Sequence, residues 1–402
     1  FRFTYCRSTN FYSNNKFNHM KNIVLLGATG SIGKSCLNVI RQNKEHFHLF
    51  GIGFGGNLDK AQEIVQEFNP DHIYVAQSQA DKSHNFWKIH SNLLTSEDEL
   101  KALIQDPDVD IVISAISGFA GLKTSYFAIE AGKKILVANK ESIVAAGDIL
   151  MPLAEMKGSE IIPVDSEHNA LYQCLPSERN LDEISKILIT ASGGPFREKS
   201  LSDLKGVSIE DALKHPTWSM GAKITIDSAS LVNKCLELIE AHYLFSIPES
   251  KIEIIVHPQS IIHSMITFID GSTIAQMSNP SMEVPISNAL GMGTRLPINF
   301  KEIDFFKLNL SFEPVAYDRE IIFDMAREVC NKKGNLGVIF NAANEIAVDA
   351  FINKNIDFID IYEVIQRTFD CFSCSKVRTI DEIFEFDKEA RIQAEKVIKS
   401  LH

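Results

Sequence analysis

The chain has no apolar run long enough to cross a bilayer. Its stretches at 252–255 and 261–269 are short and interrupted, where a spanning helix needs about 20 apolar residues. It also has no excess of basic charge: a net charge of -12 argues against a nucleic-acid partner, which calls for a basic face. A disulfide framework is missing as well. The seven cysteines, at 6, 36, 174, 235, 330, 371 and 374, are odd in number and scattered, which points to a reducing compartment and hence the cytoplasm. The pair Cys371-Phe-Ser-Cys374 has redox or zinc spacing, but without a second pair or a strand-turn-helix context it reads as coincidence. Residues 1–19 contain Arg2, Arg7 and Lys16 but no acidic residue, and Met20 follows them. They are expected to stay outside the fold; only a genuine transit segment there would imply a plastid-type organelle.

What remains is ordinary for a globular protein. The 402 residues, 45% hydrophobic and 23% charged, suffice for about two or three domains with their own cores. Near the start, Asn22-Ile-Val-Leu-Leu26 is a continuous apolar run, as in a parallel strand buried on both faces. It runs directly into Gly27-Ala-Thr-Gly30-Ser-Ile-Gly33 and then a helical pattern. Strand, glycine turn and helix in that order form a pyrophosphate-binding unit, here with GxxGxxG in place of GxGxxG spacing. Further strands are expected at 47–53, 71–75, 110–114 and 134–137, alternating with helices at 58–68 and 121–131, which predicts a doubly wound α/β domain. The second strand ends in Gly53-Phe-Gly55-Gly56-Asn57 with no carboxylate until Asp59. The missing anion leaves room for a 2′-phosphate and favours NADP(H) over NAD(H). After the strand at 134–137 comes Ala138-Asn139-Lys140-Glu141-Ser142, charged residues where such sheets place ligands.

A second chemistry lies downstream. Pro163-Val-Asp165-Ser166-Glu167-His168 puts two carboxylates two apart on what reads as extended chain, so both can face the same way. The stretch 227–237, read as one helix, adds Glu237 and places Asn233 four residues before it on the same face. Ser228 falls near the start of that helix, where hydroxyl and backbone N–H groups suit a phosphate. Clustered carboxylates imply a shared divalent cation, and the Asn, Lys and Ser groups beside them suit an anionic substrate.

These motifs, together with Ala191-Ser192-Gly-Gly-Pro-Phe196, Lys214-His215-Pro-Thr-Trp218-Ser-Met220-Gly221, Lys223-Ile-Thr-Ile-Asp-Ser228-Ala229 and Asn341-Ala-Ala-Asn-Glu-Ile346, occur in a fixed order. From Met20 to the C-terminus the chain closely resembles the 1-deoxy-D-xylulose 5-phosphate reductoisomerase family of the non-mevalonate isoprenoid route. The resemblance implies an N-terminal Rossmann-like NADPH-binding domain (20–163), a central α+β catalytic and dimerisation domain (164–300) with a flap near 207–222, a linker (301–317) and a C-terminal α-helical domain (318–402). It implies a homodimer that binds neither nucleic acid nor membrane. The activity it implies is rearrangement of 1-deoxy-D-xylulose 5-phosphate and reduction to 2-C-methyl-D-erythritol 4-phosphate, with NADPH and with Mg²⁺ or Mn²⁺, Co²⁺ being a further candidate.

The family assigns the metal to Asp165, Glu167 and Glu237, an all-oxygen set suited to a hard cation. It assigns catalysis to Lys140, Glu167 and His215. Substrate contacts fall to these three and to Ser166, Ser192, Trp218, Ser228, Asn233, Lys234 and Glu237. Cofactor contacts fall to Gly27, Thr29, Gly30, Ser31, Ile32, Gly55, Gly56, Asn57, Asn139, Glu141, Met220 and Gly221. Many family members carry a basic residue where this chain has Gly56, so the 2′-phosphate is expected to rely on backbone N–H groups, Asn57 or Lys60. His257-Pro-Gln-Ser-Ile-Ile-His263 lies in strand-like sequence (252–256, 262–268, 273–277) and reads as sheet or dimer contact, and the helices from about 318 onward read as a cap without catalytic groups. Two other readings compete: a Rossmann dehydrogenase of another substrate, which would not need the carboxylates and cradle, and a diverged NADP-binding regulatory protein, whose mark would be missing ligands.

Overall fold

Two sheets and a set of C-terminal helices hold the site in the computed structural model, which describes residues 19–76, 93–176, 181–218 and 220–401. The expected extension over 1–19 lies, apart from His19, outside the described residues. Among the described residues the first sheet has seven parallel strands: β1 (Lys21–Leu26), β2 (Phe47–Phe54), β3 (His72–Val75), β4 (Leu93–Leu94), β5 (Ile111–Ser114), β6 (Lys134–Val137) and β7 (Ile161–Pro163). Their order, β4-β3-β2-β1-β5-β6-β7, turns back at β1 and β5, and that reversal opens a crevice at the strands' carboxyl ends. Helices α1 (Ser31–Gln42), α2 (Leu58–Phe68), α3 (Glu97–Gln105), α4 (Leu122–Glu130) and α5 (Lys140–Lys157) make the crossovers. The last four residues of β1 and all of β5 are buried, as a sheet covered on both faces requires.

The second sheet has the order β11-β10-β8-β9, from β8 (Ile184–Ala191), β9 (Ile252–Val256), β10 (Ile262–Phe268) and β11 (Thr273–Met277). The last three coincide with the strand-like stretches of the sequence at 252–256, 262–268 and 273–277. Helices α6 (Ser166–Cys174), α7 (Ile209–Ala212), α8 (Ala222–Ser230), α9 (Val232–Phe245) and α10 (Glu283–Gly291) accompany it. The chain ends in α11 (Ile321–Lys332), α12 (Leu336–Ile352), α13 (Asp360–Asp370) and α14 (Ile380–Ser400). Helix α12 is apolar on nearly every side and sits in the core, close enough to α5 that a Cβ on Gly337 would stand 2.1 Å from the Val144 carbonyl oxygen.

Two local readings of the sequence are corrected. The stretch 227–237 is two helices, broken at Leu231, whose φ of 64° is left-handed. A branched residue there is strained by about 1–2 kcal/mol; Leu231 is buried, and that burial offsets the strain. Ser228 therefore lies in the last turn of α8, and the helix bearing Asn233 and Glu237 starts after it. Asp165 and Glu167, in turn, are not on extended chain. The ladder stops at Pro163, Asp165 is the N-cap of α6, and Ser166 is its first residue. The Asp165 carboxylate makes no capping bond, which leaves it free to face the site.

The glycine turn has no spare room. A Cβ on Gly33 would lie 2.4 Å from the Gly27 carbonyl oxygen and 2.5 Å from that of Ala28. Gly33→Ala is expected to push the turn out of shape and weaken NADPH binding by about 100-fold, the scale of a few lost backbone hydrogen bonds to phosphate. A fluorescence titration with NADPH checks this, and near-native affinity would contradict it.

Candidate active site

The cofactor side grows from the carboxyl ends of β1, β5 and β6. Gly27 follows β1 with φ of 87°, and a Cβ there would meet the Ala115 carbonyl oxygen at 2.3 Å, so only glycine lets the turn lie against the end of β5. Thr29, Gly30, Ser31 and Ile32 continue into α1, none of them buried. Gly55 and Gly56 are exposed, nothing lies within 4 Å of a Cβ built on Gly55, and the Asn57 Oδ1 caps α2 by accepting the Lys60 N–H at 3.2 Å. Asn139 caps α5 by accepting the Ser142 N–H, and its amide donates to the carbonyls of Ile116 and Gly118, both at 2.7 Å. Glu141 accepts from Asn139 at 3.1 Å and from Lys223 at 2.8 Å. Burial acts against its charge, but Lys223 prevails and holds Glu141 below the ordinary carboxylate range. Met220 and Gly221 lead into α8 from the segment carrying His215.

The carboxylates converge from α6 and α9. Asp165, Glu167 and Glu237 each offer an oxygen, and the three atoms lie within 4.8 Å of one another. Two ammonium groups stand among them. Lys140 pairs with Asp165, lies 3.2 Å from the Glu237 Oε1 and donates to the Asn233 Oδ1 at 2.8 Å. Lys234 donates to Glu167 at 2.5 Å and to the Glu237 Oε2 at 2.7 Å. Asn233 donates to the Glu237 Oε1 at 2.5 Å, one helical turn along α9, and the Ser166 hydroxyl donates to Glu167 at 2.6 Å. An all-oxygen acidic set, Glu237 buried and Asp165 and Glu167 half-buried, fits a hard divalent ion such as Mg²⁺ or Mn²⁺.

Electrostatics set Glu237 apart from Asp165. Burial and then the like charge of Glu167 push Glu237 up to about 7, against Lys234 and Lys140. For Asp165 burial acts the same way, but Lys140 outweighs it and keeps the group ionised. Metal must therefore displace a proton from Glu237 on the acid side. Affinity for Mn²⁺ is expected to be flat above about pH 7 and to fall by up to about tenfold per unit below it. A titration of metal-free protein at stepwise pH checks this; constant affinity down to about pH 5.5 would contradict it.

Behind the carboxylates lies a buried pair that the sequence reading left out. The His168 Nε2 donates to the Glu237 carbonyl at 2.8 Å, and its Nδ1 lies 3.3 Å from Glu240. Burial pushes His168 down to about 4, so it is neutral near pH 7. Its Nε2 ties α6 to α9, fixing the spacing of Glu167 and Glu237. On the open side, Ser192 follows β8, and the His215 Nε2 donates to its hydroxyl at 3.0 Å. The tautomer follows from the other nitrogen, which accepts the N–H groups of Thr217 (3.2 Å) and Trp218 (2.9 Å). Burial and Lys234 lower His215 to about 4. Trp218 meets the ring of His263 edge-on, and Ser228 backs the 192–194 turn, its carbonyl oxygen 2.8 Å from where a Gly194 Cβ would be.

The structure thus brings Lys140, Asp165, Ser166, Glu167, Asn233, Lys234 and Glu237 into one contact network, with Ser192 and His215 linked to each other beside it. The glycine turn and the 55–57 loop lie at the carboxyl ends of β1 and β2. His257 and His263 bond to Ser311 and Ser278 respectively. Beyond His168 and Glu240, the sequence reading passed over Lys223 and Asp227. Their four-residue spacing was the available signal, and they pair at 2.9 Å.

Comparison with known proteins gives a consistent result. The family described as 1-deoxy-D-xylulose 5-phosphate reductoisomerase matches residues 23–147, and the two descriptions of its C-terminal domains match 161–245 and 277–393. The chain is similar to the reductoisomerase of that name from Francisella tularensis subsp. novicida (strain U112), 42% identical over 94% of this chain and 98% of the relative. It is 44% identical to the one from Geobacillus sp. (strain WCH70), over 92% and 98%. Among solved structures, DOX-P reductoisomerase in complex with NADPH, fosmidomycin and magnesium superposes with a TM-score of 0.89 at 35% identity, covering 95% of this chain and 99% of that one. The Zymomonas mobilis reductoisomerase in complex with NADPH superposes at 0.88, with 38% identity, 95% and 100%.

Proposed function

Because the chain belongs to the 1-deoxy-D-xylulose 5-phosphate reductoisomerase family, we propose how its own residues carry out that family's reaction. The protein is an NADP-dependent oxidoreductase of isoprenoid precursor biosynthesis. With NADPH and a divalent metal it rearranges 1-deoxy-D-xylulose 5-phosphate and reduces the product to 2-C-methyl-D-erythritol 4-phosphate. One observation carries the assignment: three carboxylates within 4.8 Å of one another, interleaved with two lysines, beside the cofactor crevice.

In this reading Asp165, Glu167 and Glu237 hold the metal, and His168 keeps their helices in register. The bound ion supplies Lewis acidity to the adjacent substrate oxygens on which negative charge develops. Lys140, fixed by Asp165, Asn233 and Glu237, adds a positive charge at the same place. Ser166 and Glu167 meet the reacting hydroxyls. Ser192, Ser228, Asn233 and Lys234 take the phosphate and distal hydroxyls, with Lys234 exchanging part of its pairing with Glu167 for phosphate. Neutral His215 serves as a hydrogen-bond donor through its Nε2 and not as a cation. Trp218 covers the carbon skeleton and keeps water from the aldehyde, while Met220 and Gly221 close on the nicotinamide beside Asn139 and Glu141. Lys60 and the open backbone at 55–57 meet the 2′-phosphate.

The chain divides functionally at 20–163, 164–300, 301–317 and 318–402, as the motifs suggest. A homodimer is supported by the edge strand β11, where Ile274 is 49% exposed, and by Phe306, which is wholly exposed. A cytoplasmic setting is supported by six free cysteines among the described residues. No described helix is long and apolar enough to cross a membrane. The deciding assay follows NADPH oxidation with 1-deoxy-D-xylulose 5-phosphate, with and without Mg²⁺ or Mn²⁺, and again with NADH. Metal-dependent oxidation with preference for NADPH is expected. Metal-independent oxidation would overturn the site, and equal use of NADH would overturn the 2′-phosphate assignment.

A further inference from the structure

The segment Asn341-Ala-Ala-Asn344-Glu345-Ile346 lies in the middle of α12, far in sequence from the cofactor and metal residues. It puts two fully buried amides, Asn341 and Asn344, into a helix whose other buried positions are almost all apolar. A buried amide is destabilising unless it finds hydrogen-bond partners; in both residues the N–H₂ group finds one, while the Oδ1 has none among the described residues. Asn344 donates to the Asp227 Oδ1 at 2.9 Å, and the Asp227 Oδ2 pairs with Lys223 at 2.9 Å. Lys223 reaches Glu141, which accepts from Asn139. A chain of polar contacts therefore runs from the C-terminal helices to the first turn of α5.

Glu345 makes the second connection. Its Oε1 accepts the Phe119 N–H at 2.8 Å and the Asn341 amide at 3.2 Å, and its Oε2 accepts from Arg391 on α14 at 2.5 Å. Gly118, with φ of 73°, is packed so that an added Cβ would stand 3.0 Å from the same carboxylate. The 115–119 loop is thus held from two directions, by Glu345 at one end and by Asn139 at Ile116 and Gly118. Ala115, where the loop begins, presses against Gly27 of the pyrophosphate turn.

We propose that Glu345 and Asn344 are positioning residues for the nicotinamide cofactor: Glu345 sets the 115–119 loop against the glycine turn, and Asn344 sets Glu141 through Asp227 and Lys223. The C-terminal helices are then part of the cofactor site although none of their side chains need touch NADPH. The inference rests on the cofactor reading above. It extends that reading to residues with no cofactor contact.

The test is NADPH affinity by fluorescence titration, without substrate or metal, in the full-length protein. Glu345→Ala is expected to weaken NADPH binding by about tenfold and to raise the KM for NADPH alike, leaving the KM for the ketose phosphate and Mn²⁺ affinity near native. Glu345→Gln keeps an oxygen for the Phe119 N–H and should recover most of the loss, and it stands in should the alanine variant fail to fold. Asn344→Leu should weaken NADPH binding by a few fold. If Gly33→Ala destroys NADPH binding while the position-345 and position-344 variants lower only the melting temperature, these residues are structural and the inference falls. An equal rise in all KM values would also overturn it. If Gly33→Ala binds normally, the cofactor reading itself fails, and the two failures are distinguishable.

Discussion

Glu237→Gln is expected to remove measurable Mn²⁺ binding at ordinary concentrations and to cut turnover by roughly 1,000-fold or more, with NADPH affinity unchanged. That scale is typical of losing one preorganised charge-stabilising group. Glu237 lies at the centre of the site: one oxygen meets Asn233 and Lys140, the other Lys234. Glutamine preserves the shape but presents an amide N–H₂ to one of the ammonium groups, and it cannot offer the negative charge a hard cation needs. The fold should survive, because burial already disfavours the charge of the native carboxyl in the metal-free chain and a neutral group of the same shape fills the same space. NADPH should bind normally, since Glu237 lies on α9, away from the glycine turn. Isothermal titration with Mn²⁺, steady-state kinetics and a melting curve read these outcomes separately. Full activity at ordinary metal concentrations would remove Glu237 from the ligand set.

Lys234→Ala should act on the substrate, with the opposite sign for metal. The ammonium pairs with two buried carboxylates, and burial disfavours its charge while Glu167 and Glu237 more than restore it. Truncating such a partner commonly shifts binding by about 2–5 kcal/mol, so the KM for 1-deoxy-D-xylulose 5-phosphate is expected to rise about 100-fold. Mn²⁺, by contrast, competes with this ammonium for Glu167 and Glu237, so its affinity in the absence of substrate should hold or increase. Weaker metal binding together with an unchanged KM would place the phosphate elsewhere and make Lys234 part of the metal shell.

Much of this was legible in the residues because the signals were local. The run from Asn22 to Leu26 followed by glycines reads as strand and turn from its continuous apolar character and backbone sterics alone, and β9, β10 and β11 match the strand-like stretches at 252–256, 262–268 and 273–277. Asn233 and Glu237 are joined by the period of one helix. Leu231 was not legible: nothing about a leucine between Ser230 and Val232 announces a left-handed residue, and its strain is tolerated only because the surrounding core buries the side chain. The start of α6 at Ser166 was hidden for a similar reason, since Pro-Val-Asp-Ser continues a strand as readily as it ends one.

The chemistry of this protein follows from the order of its residues. Which groups are acids, cations, amides and glycines, and their spacing along single elements, are properties of the chain and survive any packing. How those groups perturb one another is a property of the folded chain. His168 from α6 meets Glu240 from α9, Glu345 from α12 meets the N–H of Phe119, and burial together with a second carboxylate a few ångströms away moves Glu237 to about 7. The physical reason is range. Helix and strand periods extend over a handful of residues, whereas burial and Coulomb interactions depend on distances in space that only the folded chain creates.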